Sequence, residues 1–484
     1  MYVLTKYGDE LALVFSPDEE IKLGDTILID DILAQVVDIQ FADLPGVLEH
    51  ILRKSLIARS ESEEHVQPEL QSIIDSLADQ KLARTKIRGR LVSDERDGTT
   101  HKSFKTGLSE FNISRVHSAI QVLPQEALFA ALNLTFPPTC DLGATLSSDC
   151  TNFDILVDKL GINLITGMKG SGKSYLAKRL LFKLMNHGVL TLVFDLNAEY
   201  LNLRSRDDGT TNEYAERMVT FTPCLEEESD FERKLTIPLH EIEYDDFASF
   251  SNVQRESPTY LYLIQFWRRN AGTAFTLDDL EQFVRGIGQE HVREGLLMRV
   301  EVARTSGLFG TNTITGFIRA LQRTGGAIIF NLSEVSYWER KIAVEFVLRR
   351  LVRMGQAKDF EAVSLFLEEA QLYVDPQNMI DIITRMRHSG VFPTFITNTP
   401  RTLPDDVFTL LDNLIAFSFR NEDELRQLAH SGLIDQRSIN SLQHLEKRQC
   451  VAVGNITSNY PLFIEIQPQT GALMGGETRK LTPS

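Results

Sequence analysis

The sequence predicts an α/β fold with a parallel sheet and a helical insertion, preceded by a small N-terminal β-barrel domain. Three observations carry this prediction. From about residue 150 apolar runs of strand length alternate with helical patterns. A glycine-rich octet, Gly167–Ser174, sits between one such strand and one such helix. Before residue 125 the chain reads instead as short β-rich runs separated by turn residues.

In the N-terminal region, Glu10–Phe15, Thr26–Ile29 and Ile32–Ile39 are the first runs, bounded by Gly24-Asp25 and Pro45-Gly46. A polar, helical stretch over Glu49–Leu82 follows, then a strand at Ala83–Val92 and a turn at Asp94–Thr100. These features define a barrel domain over 1–125. Pro137-Pro138 and the polar residues near Ser147–Asp149 mark a linker over 126–150.

The α/β domain is expected over 151–470. Strand Gly161–Thr166 enters the glycine octet, helix Lys173–Asn186 leaves it, and strand Leu190–Phe194 ends at Asp195. A helical insertion over about 225–323 includes Leu261–Arg269 and Thr276–Ile287. Alternation resumes with strand Ala327–Leu332, helix Ser336–Met354, strand Ala362–Leu367, helix Gln377–His388, and strands Thr394–Thr397 and Asn413–Phe419. Val451–Ile466 reads as a β pair turning at Gly454-Asn455, and 471–484 as a tail.

Composition narrows the class. Of 484 residues, 43% are hydrophobic and 24% charged, as in globular proteins that stay in solution. Cys140, Cys150, Cys224 and Cys450 form no C-x-x-C pair, which argues against a zinc ribbon or disulfide framework and fits a reducing cytosol. No signal peptide or bilayer-length apolar run is visible, so the expected location is cytoplasmic, with no membrane segment. A net charge of −17 argues against coating nucleic acid with the outer surface, yet permits a basic lining inside a channel.

The octet Gly167-Met168-Lys169-Gly170-Ser171-Gly172-Lys173-Ser174 fits G-x-x-x-x-G-K-S. A chain this long contains that pattern by chance about two times in a hundred, and the flanking strand and helix lower the odds further. Glycines let backbone N–H groups turn inward around phosphates, and the helix N-terminus favours an anion. Lys173 then reaches the β- and γ-phosphates and the Ser174 hydroxyl ligates Mg²⁺. The expected nucleotide contacts are Gly167, Gly170, Ser171, Gly172, Lys173, Ser174 and Tyr175, with ATP and Mg²⁺ as ligands.

Such a loop needs a second strand ending in acid. Val363-Ser364-Leu365-Phe366-Leu367-Glu368-Glu369 supplies it, with Glu368 orienting Mg²⁺ through water and Glu369 accepting a proton from the attacking water. Adjacent carboxylates point to opposite faces of a strand, so the strand end must turn for both to reach one site. Asp195 is a rival acid that could hold magnesium instead, and Glu199, four residues on, shares that region.

With these motifs in place, the chain resembles the HerA family of hexameric DNA translocases, in the HerA/FtsK branch of RecA-like P-loop ATPases. Gly24-Asp25-Thr26 and Ile32–Ile39 resemble its barrel domain, and the octet at Gly167 its phosphate loop. The run from Phe194 to Tyr200 resembles F-D-x-H-G-E-Y, with Asn197-Ala198 in place of His-Gly. Leu367–Gln371 resembles I-E-E-A-H, Arg387-His388-Ser389-Gly390 resembles G-R-K-x-G, and Thr397–Pro400 stands where the family carries S/T-Q-R-P. Val451–Gly454 and Tyr460-Pro461 resemble its closing strands.

The resemblance implies a RecA-like core, catalytic roles for Lys173, Glu369, Arg387 and Asn398, and metal ligation by Ser174 and Glu368. Asn398 replaces a γ-phosphate-sensing glutamine and is shorter. Arg387 is the first choice for a cation given in trans, with Arg385, Arg401 and Arg420 as alternatives. The arginine usual before the P-loop strand is absent; Gly161 falls there and Lys159 is the nearest cation.

A homo-hexamer enclosing double-stranded DNA is implied, working with a NurA-like nuclease or a defence effector such as a sirtuin-like protein, in DNA end processing or antiviral defence. The alternative is a nucleotide-binding ring that scaffolds effector subunits, with motor activity secondary. Arg268-Arg269 and Arg304 in the insertion are basic, but read equally well as solvated helix faces, so no DNA ligand is named.

Overall fold

The computed structural model describes all residues except 17, 42–79, 97–98, 107–112, 115–117, 135–139, 207, 224, 312–313, 375 and 468–484. The chain divides into two units, Met1–Lys159 with Ala416–Gln467, and a second that includes Leu160–Ile415. The expected linker is not a bare connection: residues 126–150 carry most of a helix and a strand. The chain also returns to the first unit after Ile415, which no local signal announces.

The first unit begins with β1 (Tyr2–Tyr7), β2 (Glu10–Phe15), β3 (Thr26–Ile29), β4 (Ile32–Phe41), β5 (Lys81–Arg96), β6 (Thr99–Lys105) and β7 (Ile120–Leu123). Their order is β1-β2-β5-β4-β3-β7, with β6 on β5, and every pairing is antiparallel. β1 and β7 are edges, so among the described residues the expected barrel is an open half-barrel. Alternate residues make its core: Leu11, Leu13 and Phe15 face Ile27, Ile29, Ile32, Ala34 and Val36. The helical stretch expected at Glu49–Leu82 lies almost wholly outside the described residues. Helix α1 (Gln125–Ala131) and strands β8 (Cys140–Thr145) and β9 (Asn152–Ile155) follow.

The second unit holds β10 (Asn163–Thr166), α2 (Lys173–Asn186), β11 (Leu190–Asp195), β12 (Met218–Thr222) and β13 (Glu232–Lys234). The insertion then supplies α3 (Tyr244–Phe250), α4 (Pro258–Arg269), α5 (Leu277–Arg285), α6 (Glu290–Thr305) and α7 (Ile314–Leu321). Completing it are β14 (Ala327–Asn331), α8 (Tyr337–Gln356), β15 (Val363–Glu368), α9 (Pro376–His388), β16 (Val391–Thr397), α10 (Asp405–Thr409) and β17 (Asn413–Phe417). The order is β13-β12-β14-β11-β15-β16-β10-β17, and β10 through β16 pair in parallel.

Parallel strands covered on both faces must be apolar throughout, and β10, β11, β14 and β15 are buried at every position. Buried amides span the centre: Asn163 donates to Thr394 Oγ1 at 3.0 Å, and Asn413 donates to Asn163 Oδ1 at 2.8 Å. Helix starts follow capping chemistry. Ser257 caps α4 ahead of Pro258, and capping boxes open α5 at Thr276 and α8 at Ser336. Strands β12 and β13 lie outside the sequence expectations: β12 is short and broken by Thr220 and Thr222, and β13 is three charged residues.

The first unit closes with α11 (Glu422–Ala429), α12 (Gln436–Ser441), β18 (Gln449–Gly454) and β19 (Leu462–Ile466). β18 and β19 form the expected antiparallel pair, and β19 pairs with β8. Arg88 on β5 ties the half-barrel to α12, donating to Asp435 Oδ2 and Ser438 Oγ at 2.5 Å each. Its Nε donates to Gln35 Oε1 at 3.0 Å, while Gln35 Nε2 donates to the Pro461 carbonyl at 2.6 Å. No helix among the described residues is long and apolar enough to cross a membrane.

Candidate nucleotide site

The site forms at the carboxyl ends of β10, β16, β15 and β11, where side chains leave the sheet into loops. After β10 the chain passes Gly167, Gly170 and Gly172 at φ of 154°, 81° and 127°. A Cβ at Gly170 would meet nothing within 4 Å, so it is backbone curvature, not crowding, that demands glycine there. Helix α2 then starts with no side chain capping its first turn, which leaves N–H groups available to an anion.

Lys173 is 6% exposed and folds back on its own loop. Its Nζ donates to the carbonyls of Gly167 and Met168 at 2.8 and 3.0 Å, and to Asn398 Oδ1 at 2.5 Å. Burial lowers its pKa to about 8, against the opposing charges of Glu369, Glu199 and Glu368. The Ser171 hydroxyl is buried without a hydrogen-bond partner. Ser174 and Tyr175 follow on the first turn of α2, both partly exposed.

The two carboxylates of β15 diverge as strand geometry requires. Glu368 ends the strand, 3% exposed, and one of its oxygens has no partner. Burial, then the charges of Asp195 and Glu199, push its pKa well above the usual carboxylate range. Glu369 leaves the strand in the left-handed conformation, φ 48° and ψ 48°, which supplies the turn. Its Oε1 accepts from the Asn398 N–H and Nδ2 at 3.1 and 2.6 Å. Its Oε2 accepts from Gln371 Nε2 and Thr397 Oγ1 at 2.6 and 2.8 Å.

Lys173, Asn398 and Glu369 therefore form one connected group, although 196 residues separate Lys173 from Glu369 in the 484-residue chain. Glu368 and Glu369 do not stand on the strand beside the P-loop strand: β16 lies between β10 and β15. That intervening strand contributes Thr397 at its end, and Asn398 follows it. Thr166 Oγ1 donates to the Thr397 carbonyl at 2.9 Å and fixes the register of the two ends.

A second layer lies behind Glu368. Asp195 is fully buried and accepts from the N–H groups of Asn197, Glu199 and Tyr200 at 3.2, 3.0 and 2.8 Å, so it shapes its own loop. Burial raises its pKa. Lys178, four residues beyond Ser174 on α2, is nearly fully buried, 3.9 Å from Glu199 and 5.5 Å from the Tyr200 ring centroid. The Tyr373 hydroxyl is buried without a hydrogen-bond partner, and the buried Tyr200 hydroxyl lies beside Glu368. Lys178, Thr397, Gln371 and Tyr373 were not assigned roles from sequence. Gln371 and Thr397 fall within the motif matches at Leu367–Gln371 and Thr397–Pro400, which name no role for them, and Lys178 and Tyr373 carry no sequence signal.

Arg387 lies elsewhere: more than half exposed at the end of α9, it donates to Asp412 Oδ1 at 3.4 Å. Asp412 also explains Gly161. Its Oδ2 accepts from the Ile162 N–H at 2.8 Å, and a Cβ on Gly161 would come within 2.1 Å of that oxygen. A side chain there, arginine included, would require Asp412 to move and give up that hydrogen bond. Arg304 is held by Asp278, Glu281 and Glu301, as a solvated helix face would be.

Among the described residues no group of three or more His, Cys, Asp or Glu side chains could by itself hold a metal ion. The oxygen donors present, the Ser174 hydroxyl and the unpartnered buried oxygen of Glu368, suit Mg²⁺, which takes one or two protein oxygens and draws the rest from phosphate and water.

Residues 154–351 match the family model described as the central domain of helicase HerA. No curated protein matches the chain. Among solved structures, VirB4 of Thermoanaerobacter pseudethanolicus is similar at 16% identity and TM-score 0.49, over 69% of this chain and 98% of that one. The plasmid coupling protein TrwB bound to a non-hydrolysable GTP analogue is similar at 13% identity and TM-score 0.48, over 72% and 94%. The genome packaging NTPase B204 from Sulfolobus turreted icosahedral virus 2 is similar at 13% identity and TM-score 0.34, over 64% and 100%. With its P-loop, acidic strand end and parallel sheet, the chain carries a HerA-type P-loop ATPase domain.

Proposed function

We propose that this protein is a ring-forming, ATP-driven translocase or helicase on double-stranded DNA. The observation that carries the reading is the link from Lys173 through Asn398 to Glu369, because it joins a phosphate-binding cation to a carboxylate able to act on water. The helicase description of the matching family model supports the DNA part.

In this reading the backbone of Gly167–Lys173 cradles the β- and γ-phosphates and the Lys173 ammonium offsets their charge. Ser174 and Glu368 hold Mg²⁺, which supplies charge neutralisation across the phosphate oxygens when bound. Glu369 takes the proton of the attacking water, and Asn398 orients the group that contacts the γ-phosphate. A transition-state cation comes from a neighbouring copy. Arg387 is the candidate, and its weak, exposed pairing with Asp412 costs little to exchange. Six copies in cyclic symmetry are proposed, with DNA in the channel and an effector or nuclease partner doing any cutting.

Purified protein should hydrolyse Mg-ATP faster when linear double-stranded DNA is added, and the stimulation should fall steeply with salt. ATP turnover that DNA never changes, in the presence of assembled rings, would favour a scaffold and exclude the motor.

A further inference from the structure

An ionised carboxylate offers about four acceptor positions, two on each oxygen. In Glu369 all four are filled by the protein: the Asn398 N–H and Nδ2 on Oε1, and Gln371 Nε2 and Thr397 Oγ1 on Oε2, between 2.6 and 3.1 Å. A base must present a free lone pair to the water it deprotonates. The neighbours of Glu369 leave it none.

Two of the four donors also bond to each other. Thr397 Oγ1 accepts from the Thr399 N–H at 3.0 Å and lies 3.3 Å from Gln371 Nε2. Only the Asn398 side chain runs outward, its Oδ1 bonded to Lys173 Nζ at 2.5 Å. The one donor of the four that also touches the phosphate-binding lysine therefore bonds to Oε1.

We infer that Gln371, Thr397 and Asn398 hold Glu369 in a locked state, and that occupation of the γ-phosphate position opens the lock through Lys173 and Asn398. The inference rests on the nucleotide reading of this site. A terminal phosphate draws Lys173 Nζ away from Asn398 Oδ1, and the Asn398 amide turns its Nδ2 toward the same phosphate. Oε1 then gains a free position. Water oxygen attacks the γ-phosphorus as the bond to the β-phosphate bridging oxygen breaks, ADP leaves with that electron pair, and the water proton passes to Oε1. Gln371, Thr397 and Asn398 are thus positioning residues, and Oε1 is freed for the water only when a complete triphosphate is seated.

The test is steady-state ATP turnover by the full chain with Mg-ATP alone, comparing wild type with Gln371→Met, which keeps side-chain length and removes one donor from Oε2. Loosening the lock should raise kcat about tenfold, the effect of one hydrogen bond to a charged group, because opening against these donors limits turnover once Mg-ATP is bound, while KM changes less than about twofold, since no phosphate contact is touched. A kcat equal to or below wild type overturns the lock, because a residue that merely orients a working base lowers kcat when lost. Thr397→Val removes the other Oε2 donor and must raise kcat as well; a fall in that variant while it remains folded by thermal melting contradicts the proposal. Failure of wild type and both variants alike to turn over ATP would instead remove the nucleotide reading beneath it.

Discussion

Two buried charge clusters, one in each unit, are built in opposite ways. In the first unit, the Asp435 carboxylate accepts from Arg88, from the N–H groups of Arg437 and Ser438, and from the Ser438 hydroxyl. Burial works to raise its pKa, yet the Arg88 charge and these hydrogen bonds hold it at about 2. In the second unit, Asp195 and Glu368 are more deeply buried, their pKa values are raised, and Glu368 keeps an oxygen with no partner. A satisfied ion pair stabilises its fold. A crowd of carboxylates with unfilled positions costs stability and is retained where a cation or substrate completes it.

The contrast breaks most visibly at Lys173. Lys173→Ala should lower ATP turnover by more than about 100-fold, measured by phosphate release, because transition-state charge loses its nearest cation. The melting temperature should hardly change, since the ammonium was bound at a desolvation cost. At Arg88 the pattern reverses. Arg88→Met strands the Asp435 carboxylate and should cost about 3 kcal/mol of stability in urea unfolding, with turnover per folded molecule unchanged.

The acid side sharpens the comparison. The folded value of Asp435, about 2, lies below its ordinary 3.8, so the native state binds fewer protons between them. Its contribution, about 2 kcal/mol, is fully present above about pH 4 and is lost as pH falls toward 2. Asp435→Asn should flatten acid unfolding in that window. The smallest effect on stability is at Glu368, whose raised value means that its charged form opposes folding at neutral pH. Glu368→Gln should stabilise the protein by about 1 kcal/mol while abolishing hydrolysis, measured by thermal unfolding beside an ATPase assay.

What could be read from sequence follows the range of the physics. The octet, helix Lys173–Asn186 and strand Ala362–Leu367 are local patterns, and the structure has the helix at those residues and the strand at Val363–Glu368. The connection of Lys173 to Asn398 spans 225 positions and depends on β16 lying beside β10, which no local signal specifies. Gln371 and Thr397 look like ordinary polar residues at a strand end until the carboxylate between them is placed. Lys178 reads as a solvent-facing lysine on an amphipathic helix, and is buried because the loop after β11 folds over it. Arg387 was favoured by motif resemblance, and its pairing with Asp412 arises only from tertiary proximity.

The role of Glu369 as the group that acts on water in a site that binds Mg-ATP can be tested directly. Wild type and Glu369→Gln should be compared in one experiment that reads fluorescent-nucleotide binding and phosphate release together. Equal binding and a loss of turnover of at least about 100-fold are expected in the variant. Turnover at the wild-type rate by Glu369→Gln, or no nucleotide binding by either protein, would contradict that role.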